Sequence, residues 1–582
     1  MEKLTIATLK AMYRSRKTTP QALIEAIIEK AECDKSLNIW IVPPSLSFIQ
    51  PYLDGLKDKN PEQYPLWGVP FAIKDNIDLA GVPTTAACPA YAYTPGQSAE
   101  VVQRLVEAGA IPLGKTNLDQ FATGLVGTRS PYGETHNALL PELISGGSSA
   151  GSAVAVARGQ AVFALGTDTA GSGRVPAALN DLIGYKAAIG DWPVKGVVPA
   201  CASLDCVTVF TSALEDAYLV DSVARGIREQ DAHNGGGFRF NPPIASGKPR
   251  KLLLPKEPLF FYGDHKDAYR SAWDKAVKRL EQCGIPIEYI DCGIFRKVSG
   301  ILYDGPWIAE RWSDLGEFVE SHPGDIFPVT EQVLRSSSER GYDAASVFTA
   351  QHQLRGYKEQ TGALMRDAIL VMPTCGGTYT REQVAASPVA ANSDMGYYTN
   401  HCNLLDLTAI ALPSDYAGER LPFGITMFAL RGQDHILKGA AAEFMQTDSI
   451  ELAVCGLHMR GFPLEKQLLE CGASFLRPDR TAPCYRLIRL QSNPPKPGLI
   501  RSAPGSSIEL EVWRIPLHRL GEFIRKVPAP LGLGKIELQN GSEVTGFLCE
   551  PYAEPGGEDI TRYGGWAAAE RSRRQNGEPA TG

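Results

Sequence analysis

Ser145-Gly146-Gly147-Ser148-Ser149-Ala150-Gly151-Ser152, followed by Gly166-Thr167-Asp168-Thr169-Ala170-Gly171-Ser172-Gly173-Arg174, is the stretch whose reading decides the fold. Two Gly/Ser-rich loops are joined by small and apolar residues. Positions 149–158 suit a buried helix, which Gly159 stops. Ala161-Val162-Phe163-Ala164-Leu165 then reads as a buried strand running straight into the second loop. Each loop presents a serine where the backbone can approach a substrate closely. Upstream, Val69-Pro70-Phe71-Ala72-Ile73-Lys74-Asp75-Asn76 places Lys74 at the end of an apolar run. Between them, Ser98 is positioned to cap a helix whose apolar face is Val101, Val102, Leu105 and Val106. Gly109 ends that helix, and Ile111-Pro112-Leu113 reads as a short strand. Strand, loop and helix in repetition imply an α/β fold with a mixed sheet covered by helices on both faces. The loop over 167–172 is then expected at a strand's carboxyl end, where open α/β sheets hold ligands.

The chain has 582 residues, more than one core accommodates, so two or more domains are expected. Apolar content of 44% and charged content of 21% are those of a globular protein. A net charge of -7 without a basic stripe argues against a nucleic-acid partner. The 12 cysteines are scattered, with no CxxC pair and no metal-like spacing, which suggests free thiols and a cytoplasmic setting. The N-terminus lacks the apolar core of a signal peptide, and the longest apolar stretch, 153–165, is broken by Arg158 and Gly159, so no membrane span is expected. Composition shifts near 430–450. Beyond it, Tyr485-Arg486-Leu487-Ile488 and Leu510-Glu511-Val512 read as strands, and Asn540-Gly541 as a hairpin turn. The expected organisation is a main domain over 1–440, a smaller α+β domain over 450–570, and a polar, disordered tail over 571–582. Asn234-Gly235-Gly236-Gly237, within 227–250, reads as an exposed loop.

A serine hydroxyl needs a base within hydrogen-bond reach. Of nine histidines only His136 is close in sequence to a serine loop. A lysine serves if burial keeps it neutral. The lysine and two serines, with the spacing of Ser148 and Ser172, resemble the amidase signature family of serine hydrolases. The resemblance implies that Ser172 is the nucleophile, that Ser148 is a bridging serine held by a cis peptide, and that Lys74 is the base. The backbone N–H groups of Thr169, Ala170 and Gly171 are then the oxyanion hole, where losing one donor costs roughly 3–4 kcal/mol of transition-state stabilisation. Many members carry glycine where this chain has Ala170; the extra methyl leaves the backbone donors in place. Lys115 reads as a structural or surface lysine, Ser149 and Ser152 as supporting donors or helix caps, and Asp168 with Arg174 as a brace for the loop.

Further segments resemble the allophanate hydrolase branch of that family, over almost the whole chain. They are the stretch from Val197 to Val207, the nucleophile loop from Thr169 to Pro176, Val454-Cys455-Gly456-Leu457-His458-Met459-Arg460-Gly461, and Tyr563-Gly564-Gly565-Trp566. Allophanate is small, planar and anionic, and arginine suits its carboxylate. Tyr303 and Arg311 match the spacing of the residues that the family uses to hold this group; eight residues apart, they are expected on one helix face. Gly124, with Thr123 and Leu125, is expected to line the pocket. No metal or other cofactor is implied. The resemblance gives the C-terminal domain a gamma-glutamyl-cyclotransferase-like fold. There His458 is the candidate for decarboxylating the first product, because an imidazole titrating near neutral pH delivers protons; the rival role for that domain is assembly. The family implies a homodimer. These residues contain no biotin-attachment motif and no nucleotide-binding loop, so a biotin-dependent urea carboxylase is expected as a separate polypeptide. The alternatives are a broader-specificity amidase, an amidase component of a glutamine-amidotransferase type, and an inactive scaffold, the last opposed by intact Lys74, Ser148 and Ser172.

Overall fold

The computed structural model describes residues 4–225, 244–256, 258–303, 305–447 and 449–575. The chain divides into two units, Met1–Glu443 and Phe444–Gly582.

The first unit is organised by one sheet of eleven strands. In chain order these are β1 (Trp40–Val42), β2 (Pro70–Lys74), β3 (Ile111–Thr116), β4 (Phe163–Asp168), β5 (Ile183–Lys186), β6 (Cys206–Thr211), β7 (Lys251–Pro255), β8 (Ile287–Ile290), β9 (Ala368–Pro373), β10 (Leu407–Ala417) and β11 (Leu421–Leu430). Their spatial order is β1-β3-β2-β4-β6-β5-β10-β11-β9-β7-β8. β2 runs parallel to β3 and β4, and β7 parallel to β8 and β9; the remaining pairs are antiparallel. β2, β3, β4, β5, β6 and β9 are buried at every position, odd and even alike. A strand with one wet face alternates, so continuous burial means that both faces are covered. The cover comes from helices such as Ala150–Ala157 over β2, β3, β4 and β6, Leu214–Ala224 over β5 and β6, and Lys266–Gln282 over β10 and β11.

Two local readings change. The helix expected after Ser98 forms at Glu100–Glu107, but Ala99 is its N-cap. The Ser98 hydroxyl accepts instead from the Ala80 N–H at 2.9 Å, and so is not available to the helix's free amides. Tyr303 and Arg311 do not share a helix. Tyr303 ends the helix Gly293–Tyr303, and Arg311 lies on the next one, Trp307–Ser321, whose N-cap is Pro306. Proline has no N–H to continue a helix and disfavours helical angles at the residue before it.

The second unit has a five-stranded sheet and a three-stranded one. Its strands are β12 (Ser449–Val454), β13 (Ser474–Arg480), β14 (Tyr485–Leu490), β15 (Lys496–Arg501), β16 (Glu509–Pro516), β17 (Leu531–Glu537), β18 (Glu543–Cys549) and β19 (Glu558–Asp559). The orders are β13-β16-β12-β18-β17 and β15-β14-β19. Asn540-Gly541 turns the chain between β17 and β18, with Gly541 at φ 83°. Tyr485, Ile508, Val512 and Trp566 meet in the core. The helix Trp566–Gln575 takes in the first five residues of the segment read as a tail. The rest of that segment, 576–582, and the glycine-rich stretch at 234–237 lie outside the described residues. The twelve cysteines are free thiols. Among the described residues no helix is long and apolar enough to cross a membrane.

Candidate active site

Strand register assembles the centre of the first unit. β2 and β4 are parallel, with Ile73 opposite Leu165. Lys74, the last residue of β2, and Thr167, near the end of β4, therefore emerge at one edge. The Lys74 Nζ lies 2.7 Å from the Ser148 Oγ and 2.7 Å from the Thr167 Oγ1, with all three side chains buried. The Gly147–Ser148 peptide is cis. The helix after Ser148 sits close to the sheet because Gly151 has no side chain: a Cβ there would stand 2.3 Å from the Ile39 carbonyl oxygen. Two serines fix this helix to β4. Ser149 Oγ donates to the Thr167 carbonyl at 3.1 Å, and Ser152 Oγ to the Leu165 carbonyl at 2.8 Å. Both act as supporting donors.

Burial lowers the Lys74 pKa to about 7, against the negative charges of Asp119, Asp205 and Asp168, which raise it. Near neutral pH a large fraction of this amine is uncharged and has a lone pair for a proton from Ser148. Lys115 is buried as well, but its ammonium pairs with Asp75 at 3.0 Å and donates to Thr84 Oγ1 at 2.9 Å. It is structural, and not on the surface.

The loop after β4 carries Ser172 in a buried position. Arg174 holds Asp168 through two hydrogen bonds of 2.9 Å, and Asp168 Oδ2 also accepts from the Gly173 N–H at 3.0 Å. This buried fork closes the loop like a clasp. Among the described residues the N–H groups of Thr169, Ala170, Gly171 and Ser172 meet no acceptor. Four adjacent free amides beside a buried serine form a ready anion site. Gly171 is required where it stands: its φ is 147°, and a Cβ would fall 2.3 Å from the Thr399 Oγ1.

A second loop, 119–129, joins these parts. Asp119 accepts from the N–H groups of Val126, Gly127 and Arg129, and its own N–H donates to the Ser148 carbonyl. The Gly124 carbonyl lies 3.5 Å from the Ser172 Oγ. Thr123 and Leu125 flank it, the Leu125 N–H donating to Asn392 Oδ1 at 2.7 Å. Arg311 arrives from its separate helix and donates to the Thr123 Oγ1 at 3.2 Å. The side chain is buried, and among the described residues no carboxylate lies within ion-pair distance of it. Gly124 therefore meets Ser172 directly and Arg311 meets the adjoining Thr123, whereas of Tyr303 only its place at the helix end is described.

Several participants were missed by sequence reasoning. Thr167 contacts the Lys74 amine, Asp119 shapes the loop around Gly124, and Asn403 donates to the Asp168 carbonyl at 2.7 Å. Asp205 accepts from the Thr169 hydroxyl and from the Ala200 N–H at 2.8 Å. Thr167 and Asn403 meet partners far away in sequence, while the donors to Asp119 lie within its own loop and give no periodic signal; Thr167, two residues past the position paired with Ile73, could have been found by aligning β2 with β4.

In the second unit His458 lines a pocket with Lys496, Pro497, Lys526 and Phe547. Its ring stacks on Phe547 at 5.3 Å and meets Phe523 edge-on at 5.2 Å, while Nε2 lies 3.0 Å from Gln467 Oε1. Burial lowers its pKa to about 4. The ring is thus neutral at pH 7, and the titration near neutrality on which its selection rested is absent, because aromatic walls have replaced water around it.

Residues 22–437 match the Amidase family, and residues 450–571 match the Allophanate hydrolase C-terminal domain. The urea amidolyase of Saccharomyces cerevisiae is 39% identical across 94% of this chain and 32% of its own length. The chain spans about a third of the length of the curated urea amidolyases it matches. A structure of Kluyveromyces lactis allophanate hydrolase is 36% identical, with a TM-score of 0.68 over 98% of this chain and 99% of that one. A glutamyl-tRNA(Gln) amidotransferase component from Methanosarcina mazei is 38% identical, over only 40% of this chain and 49% of its own length.

Proposed function

The chain belongs to the amidase family and is an amidohydrolase, and from that premise we propose that it hydrolyses allophanate. The observation that carries the choice of substrate is Arg311. A buried guanidinium with no carboxylate within ion-pair distance among the described residues, beside the loop that touches Ser172, calls for an anion in the substrate. The likeness to allophanate hydrolase over nearly the full length of both chains, at 36% identity, supports the same reading, whereas that to an amidotransferase component reaches 74% of this one at 29% identity.

In this reading the carboxylate of allophanate rests on Arg311, with Tyr303 assigned to the same group. Ser172 Oγ attacks the terminal carbonyl carbon. Its proton passes through the Ser148 hydroxyl to the neutral Lys74 amine. The carbonyl electron pair moves to oxygen, where the free N–H groups of Thr169, Ala170 and Gly171 receive it. As the C–N bond breaks, the proton returns from Lys74 through Ser148 to the leaving nitrogen, and ammonia departs. Water, deprotonated along the same route, cleaves the ester on Ser172 and releases N-carboxycarbamate. N-carboxycarbamate takes up two protons and loses two molecules of carbon dioxide in turn, releasing the second ammonia. We assign the decarboxylation to the His458 pocket, where Lys496 suits an anionic product and Lys526 is shared with Glu470 and Glu522. The proposal includes a cytoplasmic homodimer, supplied with substrate by a biotin-dependent urea carboxylase; sedimentation of the purified chain tests the dimer.

Ammonia release from freshly prepared allophanate tests the reading, with glutamine, biuret and acetamide as competing substrates. Rapid release by the parent, and none above the spontaneous rate by Ser172→Ala, is expected. If the parent ignores allophanate and cleaves the uncharged amides, the broader-amidase reading replaces this one.

A further inference from the structure

Arg311 is flanked in sequence by an acid that does not neutralise it. Glu310 turns away and gives both carboxylate oxygens to one loop. Its Oε1 accepts from the Ser203 N–H at 2.7 Å, and its Oε2 accepts from the Ser203 hydroxyl at 2.6 Å and from the Cys201 thiol at 2.9 Å. Three donors converge on one carboxylate and make a clamp, with Ser203 on its exposed side and the Cys201 thiol on its buried side. The other end of the same loop is Asp205, which receives the Thr169 hydroxyl and the N–H groups of Ala200 and Cys201. A continuous run of hydrogen bonds therefore leads from the helix of Arg311, through Glu310 and residues 200–205, to the first residue of the loop that carries Ser172. A shorter branch leads from Arg311 through Thr123 and Gly124 to Ser172 itself.

We propose that Glu310 is a positioning residue that fixes the distance between the anion-holding Arg311 and the loop of Ser172, and so sets the length of substrate the site accepts. The inference rests on the reading of Arg311 as the carboxylate site. The clamp has two consequences. It engages the acid next to Arg311 in sequence, while Asp205, the other acid whose charge acts on Arg311 among the described residues, is held by Thr169, Ala200 and Cys201. It also makes the span from cation to nucleophile a property of a braced loop, not of a flexible side chain, which suits a substrate whose carboxylate lies one nitrogen from the reacting carbonyl.

The test is a double-mutant cycle on allophanate hydrolysis with the full chain: parent, Glu310→Ala, Arg311→Ala and the pair, each followed by KM, kcat and thermal midpoint. Glu310→Ala is expected to raise KM on the order of tenfold with kcat little changed, as for a misplaced binding group. In the Arg311→Ala background the same change is expected to add nothing. Ser203→Ala, which removes one donor from the opposite side, is expected to move KM in the same direction by less, and keeps the proposal testable should Glu310→Ala fail to fold. An unchanged KM in the Glu310 and Ser203 variants, or equal effects of Glu310→Ala with and without Arg311, overturns the proposal. A parent without activity on allophanate instead defeats the substrate reading beneath it, and the two failures are distinct.

Discussion

The Lys74 centre of the first unit and the His458 pocket of the second each bury a nitrogen base, with opposite results. Both groups lose water, and in both desolvation is the largest influence on the pKa. Lysine starts high, and burial brings it to about 7, into the working range. Histidine starts near that range, and burial takes it to about 4, out of it. The surroundings differ too. Lys74 has two hydroxyls at 2.7 Å and three carboxylates acting on it from a distance, while His458 has one amide partner and aromatic walls. The same physical cause thus makes a proton acceptor of one base and a ring neutral at pH 7 of the other. Polar connection, and not burial alone, distinguishes a site built for proton transfer.

The comparison is broken most severely at Ser172. Ser172→Ala is expected to lower the turnover of allophanate on the order of 10⁴-fold or more, because it removes the proposed nucleophile. Lys74→Met, which keeps the bulk and removes the base, is expected to cost about 10³-fold in kcat with the fold retained by circular dichroism. Asp168→Asn leaves the buried Arg174 charge without its partner and is expected to lower stability by about 3–5 kcal/mol, read from the urea midpoint. His458→Gln is the smallest change for the first reaction. It is expected to leave the release of the first ammonia unchanged and to slow only carbon dioxide evolution. A large fall in the first step would erase the functional difference between the two pockets.

The parts of the site that were legible in the sequence are those in which one short segment carries its own signal. Gly146, Gly147, Gly171 and the small residues around them announce tight turns, and the apolar runs before Lys74 and Asp168 announce buried strands. Those patterns are local, and the serines and the lysine come with them. What was illegible depends on pairing across the sheet or between loops. Thr167 is one polar residue in a strand until the register with β2 puts it against Lys74. Asp119, Asp205 and Glu310 are ordinary acids until folding gives each of them several donors. The error over Tyr303 and Arg311 has a local cause: counting two helical turns ignored Pro306, which divides the segment into two helices. Ser98 shows the converse, a good capping residue taken by a neighbouring chain segment. His458 failed as a titrating group because its environment, two phenylalanines from distant segments, is absent from its own sequence neighbourhood.

The central claim is that a buried, partly neutral Lys74 drives the attack of Ser172, and the pH profile of kcat/KM tests it most directly. Ammonia release from allophanate would be followed between pH 5 and 9, with Ser172→Ala as the blank at each pH. A lysine whose pKa is lowered is protonated below that value and cannot accept a proton. Activity is therefore expected to fall about tenfold per unit below pH 7 and to level off above it. A profile that stays flat down to pH 5, or climbs toward the ordinary lysine range near 10, would contradict the account.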